Sequence, residues 1–134
     1  MFEIYNNPQR GGKYKMYNSD IKESFIKDYL RSRVVARTSL YSLFRKTEPF
    51  EERNSKDCSQ FAQDEILTMY RDFKAKSVYS LLNYNTILKA YCAWKRYYLK
   101  DATTESYDNI TIELIKPWRK THYLWVNLRP LGDG

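Results

Sequence analysis

From Ser77 to about Leu99 apolar and aromatic side chains return every three or four positions, a pattern that fits one long amphipathic helix and little else. Ser77 is a good N-cap residue, and a helix of this length, about 34 Å at ~1.5 Å per residue, would be the spine of a small domain. Tyr84, Ile87, Leu88, Tyr91, Trp94 and Tyr98 share one face and predict a buried stripe. Asn85, Lys89, Arg96 and Lys100 fall on the opposite side, with Lys95 and Tyr97 on the flanks. The stretch LLNYNTILKAYCAWKRYYLK, residues 81–100, contains no acidic residue. Because cations and rings separate on this helix, the pattern argues against a platform that stacks single strands. It fits a helix with its back in the core and its front turned to a duplex.

The preceding sequence predicts three shorter helices. Residues 1–18, with Pro8, Gly11 and Gly12 among Arg10, Lys13 and Lys15, show no period and are expected to form a flexible basic arm. Ser19 or Asp20 offers an N-cap, Glu23 completes a capping box, and Ile21, Phe25, Ile26, Tyr29 and Leu30 follow at helical spacing. VARTSLYSLFRK predicts a second helix with Leu40, Tyr41, Leu43 and Phe44 on one face, ending before Pro49. EPFEERNSKDCS then reads as a polar loop. QDEILTMYRDF predicts a third helix, with Asp64 and Glu65 in its first turn and Ile66, Leu67, Tyr70 and Phe73 on its apolar stripe. Beyond Asp101 a polar linker leads to two β-prone runs, ITIELI and HYLWVNL. The expected organisation is an arm over 1–18, a helical domain over 19–100, and a linker with a β-prone tail over 101–134. The fold class is mainly α, a four-helix bundle with a short β-hairpin or an extended C-terminal tail.

Composition narrows the function. The chain has 134 residues and a net charge of +7, and residues 71–100 contribute seven basic residues against Asp72 alone. That clustering is the footprint of phosphate binding, against the alternative of a solvated helix face. Two cysteines, Cys58 and Cys92, and one histidine, His122, suggest neither a disulfide framework nor a zinc site. The cysteines read as buried thiols from a reducing compartment, and a cytoplasmic protein without cofactor or metal is expected. No phosphate-binding glycine motif is present, and no window approaches the ~18 apolar residues of a membrane span. The carboxylate pairs Glu51 with Glu52 and Asp64 with Glu65 read as a solvated loop and a helix start, so no catalytic constellation is expected.

The run FAQDEILTMYRDFKAKSVYSLLNYNTILKAYCAWKRYYL, residues 61–99, resembles the N-terminal core-binding, or SAM-like, domain of tyrosine recombinases and phage integrases. The likeness is nearest to divergent integrase-like proteins of phages of Gram-positive bacteria, some of which act as repressors without recombining DNA. Its carriers are the short helix EILTMYRDF, the turn KAKS, the opening SVYSLLNYN and the spacing ILKAYCAW, with DIKESFIKDYL as the family's opening helix. The resemblance implies a four-helix domain that forms half of a clamp on duplex DNA. The family's catalytic set is missing: His122 is followed by Tyr123, Leu124 and Trp125 rather than by an Arg at the third position.

The resulting expectation is a non-catalytic duplex-DNA-binding module of phage or mobile-element origin in a bacterial cytoplasm. Lys74, Lys76, Lys89, Lys95, Arg96 and Lys100 would contact phosphates, and Asn83 or Asn85 a base edge. Arg10, Lys13 and Lys15 would add an arm in the minor groove. The alternative is a phage-encoded inhibitor that binds a host enzyme or defence complex through Trp118, Tyr123, Trp125 and Arg129, residue types that dominate interface hot spots. The plainer reading of those four is that they close the core.

Overall fold

The computed structural model describes residues 16–33, 35–75 and 77–115. These residues are mainly α-helical and contain no strand. The chain forms two compact units, residues 1–60 and 61–134.

In the first unit, α1 (Ser19–Ser32) packs on α2 (Arg37–Asn54). The buried face of α1 is Lys22, Phe25, Ile26 and Tyr29, so a lysine holds a core position while Ile21 and Leu30 are only half-buried. The helix is capped by Asn18, not by Ser19 or Asp20. Asn18 sits in the left-handed region (φ 52°), which Asn tolerates better than most residues, and its carbonyl accepts from Ile21 N and Lys22 N at 3.1 Å. Its side chain makes no cap bond and donates instead to Asp57 Oδ1 at 2.9 Å. The expected capping box does not form among these bonds, since Glu23 Oε1 accepts from the Tyr41 hydroxyl.

Helix α2 runs through Pro49 to Asn54, past the stop expected before that proline. Proline removes a helix hydrogen bond and usually costs about 3 kcal/mol in an interior position. The helix continues because the turns on either side of Pro49 belong to the core rather than to a loop: Thr47, Phe50 and Glu51 are buried, and Pro49 itself lies on the exposed side. Thr47 Oγ1 donates to Glu51 Oε1 at 2.7 Å across this turn, and Phe44 meets Phe25 edge-on at 6.1 Å. Ser55, at φ 53°, ends the helix, and a 3-10 turn (Cys58–Gln60) comes next.

Tyr41 yields a pH prediction for this unit. Desolvation, then the hydrogen bond and charge of Glu23, push the phenol up to about 12. A group whose proton is held more tightly in the folded state stabilises below its unfolded pKa, here 10.0, and loses that contribution as pH rises through about 12. Discounted for its partial exposure, the Tyr41 share is on the order of 1 kcal/mol. Urea unfolding of wild type and Tyr41→Phe at pH 8 and pH 12 should give a stability difference that shrinks at the higher pH. A pH-independent difference would contradict the assignment.

In the second unit, α3 (Gln63–Phe73) buries Ile66, Met69, Tyr70 and Phe73, with Leu67 half-buried. Glu65 Oε1 accepts from Ala62 N at 2.8 Å, so the acidic first turn caps the helix as its sequence suggests. Lys74, at φ 52°, closes it. Helix α4 (Val78–Tyr98) opens on Ser77, whose hydroxyl accepts from Ser80 N at 3.2 Å. After α4 the connector holds a second 3-10 turn (Ser106–Asn109) that packs on both α3 and α4 through buried Tyr107. ITIELI is not a strand. Thr111 starts a helical turn over 112–115, with Leu114 N and Ile115 N donating to its carbonyl, and Ile110 and Ile115 are buried. An apolar run this short does not distinguish strand from helix by periodicity. The HYLWVNL run lies outside the described residues.

Candidate nucleic-acid interface

Helix α4 buries Leu81, Ile87, Leu88, Tyr91 and Cys92, and with them two polar residues expected at the interface. Asn85 is 4% exposed; its Oδ1 accepts from the Tyr70 hydroxyl at 2.7 Å and its Nδ2 donates to the Tyr107 carbonyl at 3.1 Å. Its amide is therefore spent on joining α3, α4 and the connector. Asn83, on the same helix, is exposed. Lys95 is 3% exposed, with its ammonium 3.0 Å from Asp101 Oδ2 and 5.7 Å from the Tyr91 ring.

Arg96 is half-buried and reaches the connector, donating to Thr103 Oγ1 at 3.3 Å and Thr104 O at 3.4 Å. Thr103 Oγ1 in turn donates to the Cys92 carbonyl at 3.4 Å. The segment read from sequence as a linker is thus bonded back along α4, and it covers part of the expected basic face. Lys74, Lys89 and Lys100 remain exposed. Lys76, the arm residues Arg10, Lys13 and Lys15, and the tail residues Trp118, Tyr123, Trp125 and Arg129 lie outside the described residues.

The aromatic stripe is also shorter than predicted. Tyr91 is buried and Tyr84 and Trp94 half-buried, but Tyr98 is 61% exposed and neighbouring Tyr97 is 69% exposed. At the C-terminal end of α4 the rings and cations therefore share a surface: the Lys100 ammonium lies 5.4 Å from the Tyr97 ring. The expected separation of charge from aromatics fails at Lys95, buried against the Tyr91 ring, and again at the helix end.

A second group of cations is hidden when charge is summed over residues 1–70, where it nearly cancels. Residues 27–46 carry Lys27, Arg31, Arg33, Arg37, Arg45 and Lys46 against Asp28 alone. Lys27, Arg31, Arg33 and Arg37 are exposed around the α1–α2 connection, with Asp28 3.5 Å from Arg31. A sliding charge count of ~20 residues, rather than a division into long blocks, is the signal that finds it.

The remaining charged cluster is internal. Lys22, 0% exposed, donates to Glu51 Oε2 at 2.8 Å, to Asp57 Oδ1 at 3.0 Å and to the Tyr17 carbonyl. Glu51, expected in a solvated loop, is 0% exposed and accepts from Cys58 N at 2.7 Å and from Thr47 Oγ1. Asp57 Oδ2 accepts from Ser59 N and Ser59 Oγ at 3.0 and 2.7 Å. Burial opposes the charge on Lys22, but Cys58, Glu51 and Asp57 outweigh it and hold its pKa above the ordinary lysine value. Burial, with Asp57, pushes the Glu51 carboxyl up while Lys22 pulls against it. Three donors on its two oxygens fit the ionised form. Burial and Glu51 push the Cys58 thiol well up, which keeps it protonated at neutral pH. Glu51, Asp57 and Cys58 bring ligand atoms within 4.8 Å of one another, a spacing that suits a metal ion, yet the Lys22 ammonium already supplies the positive charge between the carboxylates.

No helix among the described residues is long and apolar enough to cross a membrane. No curated protein and no solved structure matches the chain. One family does, described as MrpR, N-terminal core-binding domain, over residues 16–97, which is more than half of the sequence and takes in α1 through nearly all of α4. With the opening helix, the Ser77-capped spine and the aromatic pair Tyr91 and Trp94 all inside that span, the chain belongs to the MrpR N-terminal core-binding domain family.

Proposed function

We propose that this protein is a duplex-DNA-binding module that acts without chemistry, with a phage or mobile-element origin and a place of action in the bacterial cytoplasm. The observation that carries the reading is the concentration of exposed cations in a core-binding domain: Lys27, Arg31, Arg33 and Arg37 around the α1–α2 connection, and Lys74, Lys89 and Lys100 in the second unit. Arginine and lysine in such groups bind the phosphate backbone, and each phosphate neutralised contributes about 0.9 to the log–log salt slope on B-DNA. Phosphate contacts place the protein, and Asn83 is the exposed amide that can read a base edge on α4.

The test is fluorescence anisotropy of a labelled random duplex at ~50 and ~200 mM salt. Wild type should bind at low salt and weaken steeply as salt rises. An Arg31→Ala, Arg33→Ala, Arg37→Ala variant should lower the slope by up to about 2.7, and Lys89→Ala with Lys100→Ala by up to about 1.8, if every residue holds a phosphate. Binding that ignores salt and both variants would reject the duplex reading.

A further inference from the structure

We propose that the C-terminal end of α4 is a stacking platform for unpaired bases of single-stranded DNA, a ligand different from the duplex. Among the described residues the large exposed apolar side chains are Tyr79, Tyr97, Tyr98, Leu99 and Leu114, and three of these five are consecutive at this one helix end. The rings form a continuous row. Tyr91 stacks on Trp94 at 6.5 Å and 16°, Trp94 meets Tyr98 at 5.9 Å, and Tyr98 meets Tyr97 edge-on at 4.8 Å. The row starts on a buried ring and ends on two exposed ones, with Tyr98 touching Trp94 and Tyr97 touching Tyr98.

Charge chooses the occupant. Lys100, held at φ 54°, places its ammonium 5.4 Å from the Tyr97 ring centre. The nearest acid in sequence, Asp101, is engaged by Lys95. Rings that offer a π-face to any base, with cations beside them for the strand's phosphates, are the components of sequence-tolerant single-strand binding. A second copy of the chain docking here face to face would bring two Lys100 ammonium groups together, which disfavours self-association. The choice of DNA over RNA rests on the duplex-DNA reading; the platform itself does not.

The experiment titrates the full chain into labelled dT20, labelled rU20 and a labelled duplex, reading anisotropy and, for the single strands, quenching of tryptophan fluorescence. The variants are Tyr97→Ala with Tyr98→Ala and Tyr97→Phe with Tyr98→Phe, whose exposed side chains can change without opening the core. The alanine pair should weaken dT20 binding tenfold or more and leave the duplex within twofold, and the phenylalanine pair should retain dT20 binding. The proposal is overturned if wild type does not bind dT20, or if the alanine pair binds it as tightly. It is also overturned if dT20 and duplex fall together. Tyrosine-dependent binding of rU20 that exceeds dT20 would reassign the platform to RNA. A wild-type dimer in sedimentation that the alanine pair dissolves would reassign it to self-association. Loss of duplex binding in wild type with dT20 binding intact would reject the duplex reading alone.

Discussion

Lys22→Ala is expected to destabilise the first unit by about 3–5 kcal/mol, because it leaves two buried carboxylates without the cation that lies between them. The ammonium is 2.8 Å from Glu51 and 3.0 Å from Asp57, and it also donates to the Tyr17 carbonyl. It lies 5.5 Å from the Phe44 ring and is fully buried. With lysine gone, burial would hold the Glu51 proton to still higher pH in the folded state than in the unfolded chain. The penalty is then present at neutral pH and relieved as pH falls through that raised value, so the variant should gain stability relative to wild type on acidification. Urea unfolding followed by circular dichroism at pH 7 and pH 5 tests both parts. A companion variant, Lys22→Met with Glu51→Leu, removes one charge of each sign and should recover part of the loss, with a coupling on the order of 1–3 kcal/mol. If Lys22→Ala lies within ~1 kcal/mol of wild type at pH 7, the three groups do not act as a paired unit.

Sequence made this lysine hard to place. A charged residue at helical spacing reads as surface, and its partners are 29 and 35 positions away in a stretch that reads as a polar loop. The same stretch misled at Pro49, where the rule for residues before proline predicted a stop that buried Phe50 and Glu51 override. What was legible depended on local causes: the Ser77 cap and the periodicity of α4, the acidic first turn of α3, and the spacing of Phe25, Ile26 and Tyr29 in α1. At the candidate interface, helical period put Asn85 opposite the apolar stripe and Lys95 on its flank. It had no term for Asp101, Thr103 and Tyr107, which arrive from the connector and claim Lys95, Arg96 and Asn85. At the end of α4 the error runs the other way: Tyr98 has the spacing of a core residue but projects beyond the packed part of the stripe.

Asn85→Ala is expected to cost the second unit about 2–3 kcal/mol, the effect of leaving buried polar groups unmet together with a small void. Tyr70 and Tyr107 are both nearly fully buried, so the phenol that donates to Asn85 loses that acceptor away from water, while the Tyr107 carbonyl keeps only the Ile110 N–H at 3.3 Å of the two donors that reach it. Asn85→Asp separates the two bonds. An ionised carboxylate can still accept from Tyr70 but turns an acceptor toward the Tyr107 carbonyl, where a donor is required. Protonation restores that donor, so the aspartate variant should be weak at neutral pH and recover as pH falls, while the alanine variant should not. Tyr70→Phe, which leaves only the Asn85 oxygen unmet, should cost about 1–2 kcal/mol, and its combination with Asn85→Ala should cost less than the sum. The readout is urea unfolding at pH 7 and pH 5, with duplex binding measured on the same proteins. Because Asn85 faces inward, its variants should alter stability without changing which duplex sequences are preferred, whereas Asn83→Ala should do the reverse. A sequence preference that shifts with Asn85 and ignores Asn83 would return the base-edge role to the buried residue and require the connector to open when DNA binds.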